Sequence, residues 1–94
     1  MPEIKTLTLP DRFDYSYHRQ FSDAYVSLLE NAEIAHVVLD FSLVKYLDSS
    51  SLGMMVLMQK EMKAKNKKVQ IKGARGTTEE ILKMANMNKI FEFI

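Results

Sequence analysis

The densest group of side chains able to do chemistry is Asp48-Ser49-Ser50-Ser51, followed by Leu52-Gly53. Serine and aspartate are favoured helix N-caps because their oxygens accept the free amide hydrogens of the first turn, which accounts for one or two of the four. The remaining hydroxyls, with Gly53 behind them, reduce bulk at a helix start and leave a low polar corner. Another protein's active site could approach such a corner, as phosphorylation requires. A phosphoryl group on Ser49 would add about −1.5 to −2 charge. It would stand at a helix N-terminus, which tolerates anions, and beside Asp48, which repels them. The fold should survive this. A partner surface fitted to a neutral hydroxyl should not, since a desolvated dianion without matching cations is costly.

Other chemistries find less material. The chain has no cysteine and two histidines, so thiol nucleophiles, thiolate metal sites and disulfides are excluded and no metal centre is expected. His18 falls in a helical segment and is expected to be solvated, whereas His36 opens a strand; no Gly-x-Ser-x-Gly elbow lifts a serine toward either of them. Gly73-Ala74-Arg75-Gly76 is too sparse to hold a nucleotide and is expected to serve a turn. Asp40 and Asp48 near the mouth of a sheet raise the idea of an acidic receiver pocket. That pocket needs an acidic pair after the first strand, where this chain has Leu9-Pro10-Asp11. No cofactor is expected, and the chain is not expected to be an enzyme.

The elements that must position the corner follow from periodicity. Ile4 to Leu9 alternate as a strand that stops at Pro10. Tyr17, Phe21, Ala24, Tyr25, Leu28 and Leu29 recur at helical spacing, with Asp14 or Ser16 as the cap, to about Asn31. The nearly continuous apolar run His36 to Phe41 has the character of a central strand covered on both faces. Residues 42–50 read as a connection, and a helix follows to Asn66 with a stripe of Leu52, Met55, Val56, Gln59 and Met62. Met54 and Met58 fall off that stripe and are expected near the surface, where flexible thioethers suit a protein contact. Val69 to Lys72 is the third strand. Thr77 and Glu80 offer a capping box to a third helix, and Ile90 to Ile94 make a last short strand. Strand and helix alternate throughout, which predicts an α/β fold: a small mixed, largely parallel four-stranded sheet packed with about three helices, joined by right-handed crossovers.

The chain's 94 residues suit a single domain, 1–94. Its net charge of +1 hides an asymmetry, eight acids and four bases up to Asp48 against four acids and nine bases after it. The basic run Lys60 to Arg75 has no interleaved aromatics and reads as helix-end and surface lysines rather than a nucleic-acid footprint. The longest apolar stretches, such as Leu52 to Met58, fall far short of the roughly 20 residues that cross a bilayer. No direct membrane insertion is expected, and the cytoplasm is the expected location.

The segment Val37-Val38-Leu39-Asp40-Phe41, followed by Leu47-Asp48-Ser49-Ser50-Ser51-Leu52-Gly53, resembles the STAS domain, particularly the free-standing anti-sigma factor antagonists. Lys67 to Ile71, Ile81 to Ala85 and Met87 to Phe91 resemble the second half of the same family, so the likeness covers nearly the whole chain. The resemblance implies a regulatory binding module without catalysis of its own. A partner serine kinase, often the anti-sigma factor itself, phosphorylates the first hydroxyl after the aspartate, and a PP2C-type phosphatase removes the group. That position is Ser49, with Ser50 and Ser51 as secondary candidates, while Asp48, Ser50, Ser51, Leu52, Gly53, Met54 and Met58 would form the docking corner. Unphosphorylated protein would bind its partner and phosphorylated protein would release it. Ser51 departs from the glycine usual in the family. Other STAS domains act without phosphorylation, as subunits of lipid-transport or stress-signalling assemblies.

Overall fold

A computed structural model describes residues 3–94. In chain order it contains β1 (Glu3–Thr8), β2 (Arg12–Phe13), a 3-10 turn (Tyr15–Tyr17), α1 (His18–Glu30), β3 (Ile34–Asp40), β4 (Tyr46–Leu47) and α2 (Ser49–Ala64). There follow β5 (Lys68–Lys72), α3 (Gly76–Met84), a second 3-10 turn (Met87–Lys89) and β6 (Glu92–Phe93). The main sheet runs β1-β3-β5-β6 with every pair parallel. The strand order never reverses, so right-handed crossovers deliver all three helices to one face. Phe21, Tyr25 and Leu28 of α1, Met55, Met58 and Met62 of α2 and Leu82 of α3 share one core with Val37 and Leu39 of β3 and Val69 and Ile71 of β5. Each such side chain contributes about 1.5–3 kcal/mol on burial.

The central strand is therefore not covered by helices on both faces. Val38 points away from the helical core, and it is shielded instead by its register neighbours Thr6 on β1 and Gln70 on β5. His36 stands on the same open face, as the third residue of β3 rather than its first.

Two further expectations differ. α3 begins two residues earlier than a cap at Thr77 suggests. Its cap is Arg75, which makes no side-chain capping bond. Gly76 turns the chain at φ +59°, and Thr78 sends its hydroxyl to the Val44 carbonyl at 3.1 Å. The last strand is shortened to Glu92–Phe93, because residues from Met87 first make a 3-10 turn that buries Met87 and Phe91. Among the lysines, Lys67 is not a solvated surface charge. Its ammonium donates to the carbonyls of Leu28 (3.0 Å), Asn31 (2.6 Å) and Ile34 (2.7 Å), closing the C-terminal end of α1 onto the start of β3.

Candidate functional site

Everything at the serine corner is set by how α2 begins. Asp48 is extended (φ −130°, ψ −176°) and its carboxylate accepts from the Ser51 amide at 3.0 Å. The Ser51 hydroxyl accepts from the Asp48 amide at 3.0 Å and donates to the Asp48 carbonyl at 2.7 Å, so the two residues cap each other reciprocally. Ser51 has 0% of its surface exposed. It lies on the buried stripe Ser51-Met55-Met58-Met62, spaced four, three and four residues apart. The secondary candidacy of Ser51 as an exposed acceptor, and its place in a docking surface, do not survive this geometry. Sequence reading assigned it to the polar corner because it follows two other serines.

Met58 is corrected for the same reason. The buried stripe runs one position away from the Leu52-Val56-Gln59 line, which brings Met58 wholly inside (0% exposed) and leaves Leu57 outside at 54%. The exposed face of α2 therefore carries Ser49, Ser50, Gly53 and Leu57, with Leu52 and Met54 half-buried at its margins. Ser49, Gly53 and Leu57 are four residues apart and stand one above another. A Cβ built on Gly53 would meet nothing within 4 Å. The fold has no steric need for glycine there, although glycine costs a helix interior roughly 0.5–1 kcal/mol relative to alanine. A shallow crevice of about 30 Å³ between α1 and α2 joins this face, lined by His18, Phe21, Tyr25, Met54 and Leu57.

The connection before α2 is not a plain loop. Its residues Tyr46 and Leu47 pair in parallel with Arg12 and Phe13, the register being Arg12↔Tyr46 and Phe13↔Leu47. Phe13 and Leu47 face the core, with Phe13 packed against Phe21 and Phe41 at ring separations of 5.3 and 6.1 Å. Arg12 and Tyr46 face outward. The guanidinium lies 4.5 Å from the Tyr46 ring centre, and its Nε donates to Asp14 Oδ2 at 2.7 Å. Asp14 also caps the 3-10 turn by accepting from the Ser16 amide at 2.9 Å. Hydrogen bonds from Ser16 and Arg12 hold the Asp14 carboxyl below its ordinary value. Sequence reading missed Arg12 because a two-residue strand has no periodicity to detect.

Asp40, at the carboxyl end of β3, is occupied by its own turn. Its Oδ1 accepts from the Ser42 amide at 2.9 Å, and hydrogen bonds from Ser42, with Lys72 nearby, hold its pKa below the usual range. Gly73 packs onto this turn at φ +77°, where a Cβ would come within 3.0 Å of Asp40 Oδ1 and of the Ser42 amide nitrogen. Here glycine is required twice, by conformation and by close approach. His18 is exposed and stacks on Tyr15 at 5.0 Å. Among the described residues, no three histidine, aspartate or glutamate side chains gather as a metal site, and no helix is long and apolar enough to cross a membrane.

Comparison with known proteins agrees with this architecture. A STAS-domain containing protein of Pseudomonas aeruginosa is 29% identical over 87 residues, covering 93% of this chain and 84% of that one. The STAS domain of a SulP transporter from Vibrio cholerae superposes with a TM-score of 0.83 at 17% identity, over 100% of this chain and 76% of that one. The Bacillus cell fate determinant SpoIIAA in its phosphorylated form gives a TM-score of 0.72 at 12% identity, over 95% and 80%. In its unphosphorylated form, as an anti-sigma factor antagonist, SpoIIAA gives 0.69 at 14%, over 84% and 72%. The family model described as MlaB, STAS domain, matches residues 2–92, and with a one-sided parallel sheet and the serine corner heading α2, the chain belongs to the STAS domain family.

Proposed function

We propose that this protein is a phosphorylation-switched binding module of the anti-sigma factor antagonist type, with Ser49 as the acceptor and the exposed face of α2 as the docking surface. The observation that carries this reading is the stacking of exposed Ser49, Gly53 and Leu57 on one face of α2, with glycine standing where the fold has no steric need for it. Ser50 is exposed beside Ser49 and is the secondary acceptor. Asp48, Leu52 and Met54 border the surface, and Leu57 takes the role first given to Met58.

The chemistry belongs to the partners. A serine kinase, which on this reading is also the anti-sigma factor, binds ATP and magnesium. The Ser49 Oγ attacks the γ-phosphorus, the bond to the ADP oxygen breaks, and the hydroxyl proton passes to a base of the kinase. A PP2C-type phosphatase returns the serine by hydrolysis, with inorganic phosphate as the second product. The added dianion is unwelcome in an interface fitted to a neutral hydroxyl, so the complex dissociates. Dependence on ATP puts this exchange in the cytoplasm. Incubation with the cognate kinase and ATP, followed by peptide mass mapping, should place the phosphate on Ser49. Undiminished labelling of Ser49→Ala would overturn the assignment, and Ser49→Asp should lose the partner.

A second reading has a specific observation in its favour. A transporter's STAS domain superposes over the whole chain, and the matching family model is that of MlaB. On this reading the same face of α2 holds a constitutive neighbour in a lipid-transport or stress-signalling assembly, and the serines only begin the helix. Unchanged partner affinity in both Ser49→Ala and Ser49→Asp would select it.

A further inference from the structure

Arg12 and Tyr46 share the outward face of the β2–β4 ribbon, and the caps Asp14 and Asp48 follow it directly in the chain, Asp14 buried and Asp48 half-buried. Arg12 on β2 and Asp14, the cap just after it, are joined by the 2.7 Å bond. Tyr46 is opposite Arg12 in register, and Asp48 continues the extended backbone two residues beyond Tyr46. Two residues of extended chain advance roughly 7 Å, which is the reach of an arginine side chain. Asp14, which holds Nε, follows Phe13, and Asp48 follows Phe13's partner Leu47, so the bond to Asp14 turns the guanidinium in the direction in which β4 leads into α2. The guanidinium is also in part uncommitted. Nε is engaged by Asp14, the side chain is 66% exposed, and the guanidinium carbon lies over the Tyr46 ring, 4.5 Å from its centre. An arginine held at Nε keeps its two terminal nitrogens as a planar fork suited to two oxygens of a phosphoryl group.

A phosphoryl group at Ser49 would stand next to Asp48 in sequence, and Arg12 is the cation that the pairing of β2 with β4 brings to the approach to α2. We propose that Arg12 is the built-in counter-cation of phosphorylated Ser49, its terminal nitrogens holding the phosphoryl oxygens while Nε stays on Asp14. This rests on the reading of Ser49 as the acceptor. It adds a residue from a separate strand, 37 positions away in sequence, to the switch. Unphosphorylated, Arg12 is an exposed basic contact beside the docking face; phosphorylated, it is drawn onto the modified serine. One modification thereby alters two features that a partner can read.

The test uses the full chain with phosphoserine installed at position 49 by genetic-code expansion, so that no kinase is needed. Phosphorus NMR titration follows the second ionisation of the phosphoryl group. The charged and titratable groups on the segments that lead to it are Arg12 and Asp14 on one side and Lys45, Tyr46 and Asp48 on the other. With Arg12 in place the dianion should form at a pH lower by about half to one unit than in Arg12→Gln, because a contacting cation favours the more charged form. Arg12→Lys should recover part of the shift. Lys65→Gln, one net charge poorer but ~24 Å away along α2, should recover the parent value. An Arg12→Gln titration within a tenth of a unit of the parent, or an equal shift in Lys65→Gln, would overturn the proposal. Since the phosphoserine is installed, that failure would leave kinase labelling of Ser49 untouched, whereas absence of labelling would defeat the acceptor reading without changing the titration.

Discussion

Replacing Gly53 by alanine should make the protein more stable and its partner complex weaker. Gly53 is the fifth residue of α2, past the capped first turn, and only Gly73 and Gly76 among the described glycines have positive φ. Its backbone is therefore open to any L-residue. The new Cβ would touch nothing within 4 Å, so neither strain nor burial enters. What remains is helix propensity and the entropy of the unfolded chain, worth about 0.5–1 kcal/mol in favour of alanine. In a domain of this size such a gain raises Tm by about 4 °C. Thermal and urea unfolding followed by circular dichroism at neutral pH measure it directly, and the slope of the urea transition should not change. A Tm equal to or below that of the parent would refute the claim that the fold has no use for this glycine. Partner affinity supplies the second half. A methyl group raised on the exposed line between Ser49 and Leu57 should weaken binding about tenfold, and a stabilised variant with unaltered affinity would remove Gly53 from the docking surface.

Gly73→Ala should behave in the opposite way, losing about 1–3 kcal/mol in urea unfolding because position 73 has φ +77° and no room beside Asp40 and Ser42. Ser51→Ala should cost about 1 kcal/mol by removing half of the reciprocal cap, with phosphate uptake at Ser49 retained in a kinase assay. The alkaline limb of stability should reflect Tyr25, whose hydroxyl donates to Glu61 Oε1 at 3.0 Å and whose pKa is pushed up to about 12, first by burial and then by Glu61. A group raised in the folded state stabilises below its unfolded value of 10.0 and loses that contribution as pH rises from there through about 12. Tyr25→Phe should therefore flatten the decline of Tm across that window. On the acid side, Asp14, Asp40 and Glu92 all have lowered pKa values, held there mainly by hydrogen bonds from Ser16, Ser42 and Gln70. Their contribution is present above their ordinary range and lost as pH falls through the depressed values, so Tm should hold to about pH 5 and drop below about pH 4. Asp14→Asn should blunt that drop.

The alternation of strands and helices was legible because each main element is long enough to show its period. Val37, Leu39, Phe21 and Tyr25 advertise their faces directly. The site was legible only in part. The start of α2 at Asp48 is marked by local capping chemistry, which acts over three or four residues and can be read along the chain. Ser51 and Met58 were misplaced because the orientation of α2 is fixed by what it packs against. A serine with its hydroxyl folded back on the backbone fits a buried stripe as readily as a methionine does. The place of Arg12 could not be seen at all, since it comes from pairing with a segment more than thirty residues away. Lys67 belongs with it. Its three carbonyl partners span Leu28 to Ile34, and no pattern around position 67 signals them.

The reciprocal Asp48–Ser51 clasp has a mechanical consequence. With backbone and side chain locked on both sides of the turn, a chemical mark placed one residue inside it has little slack with which to unwind the helix or shift the sheet. Information written there stays at the surface as charge and shape. It must be read by contact, which suits a message meant for a neighbouring molecule rather than for the interior of the domain that bears it.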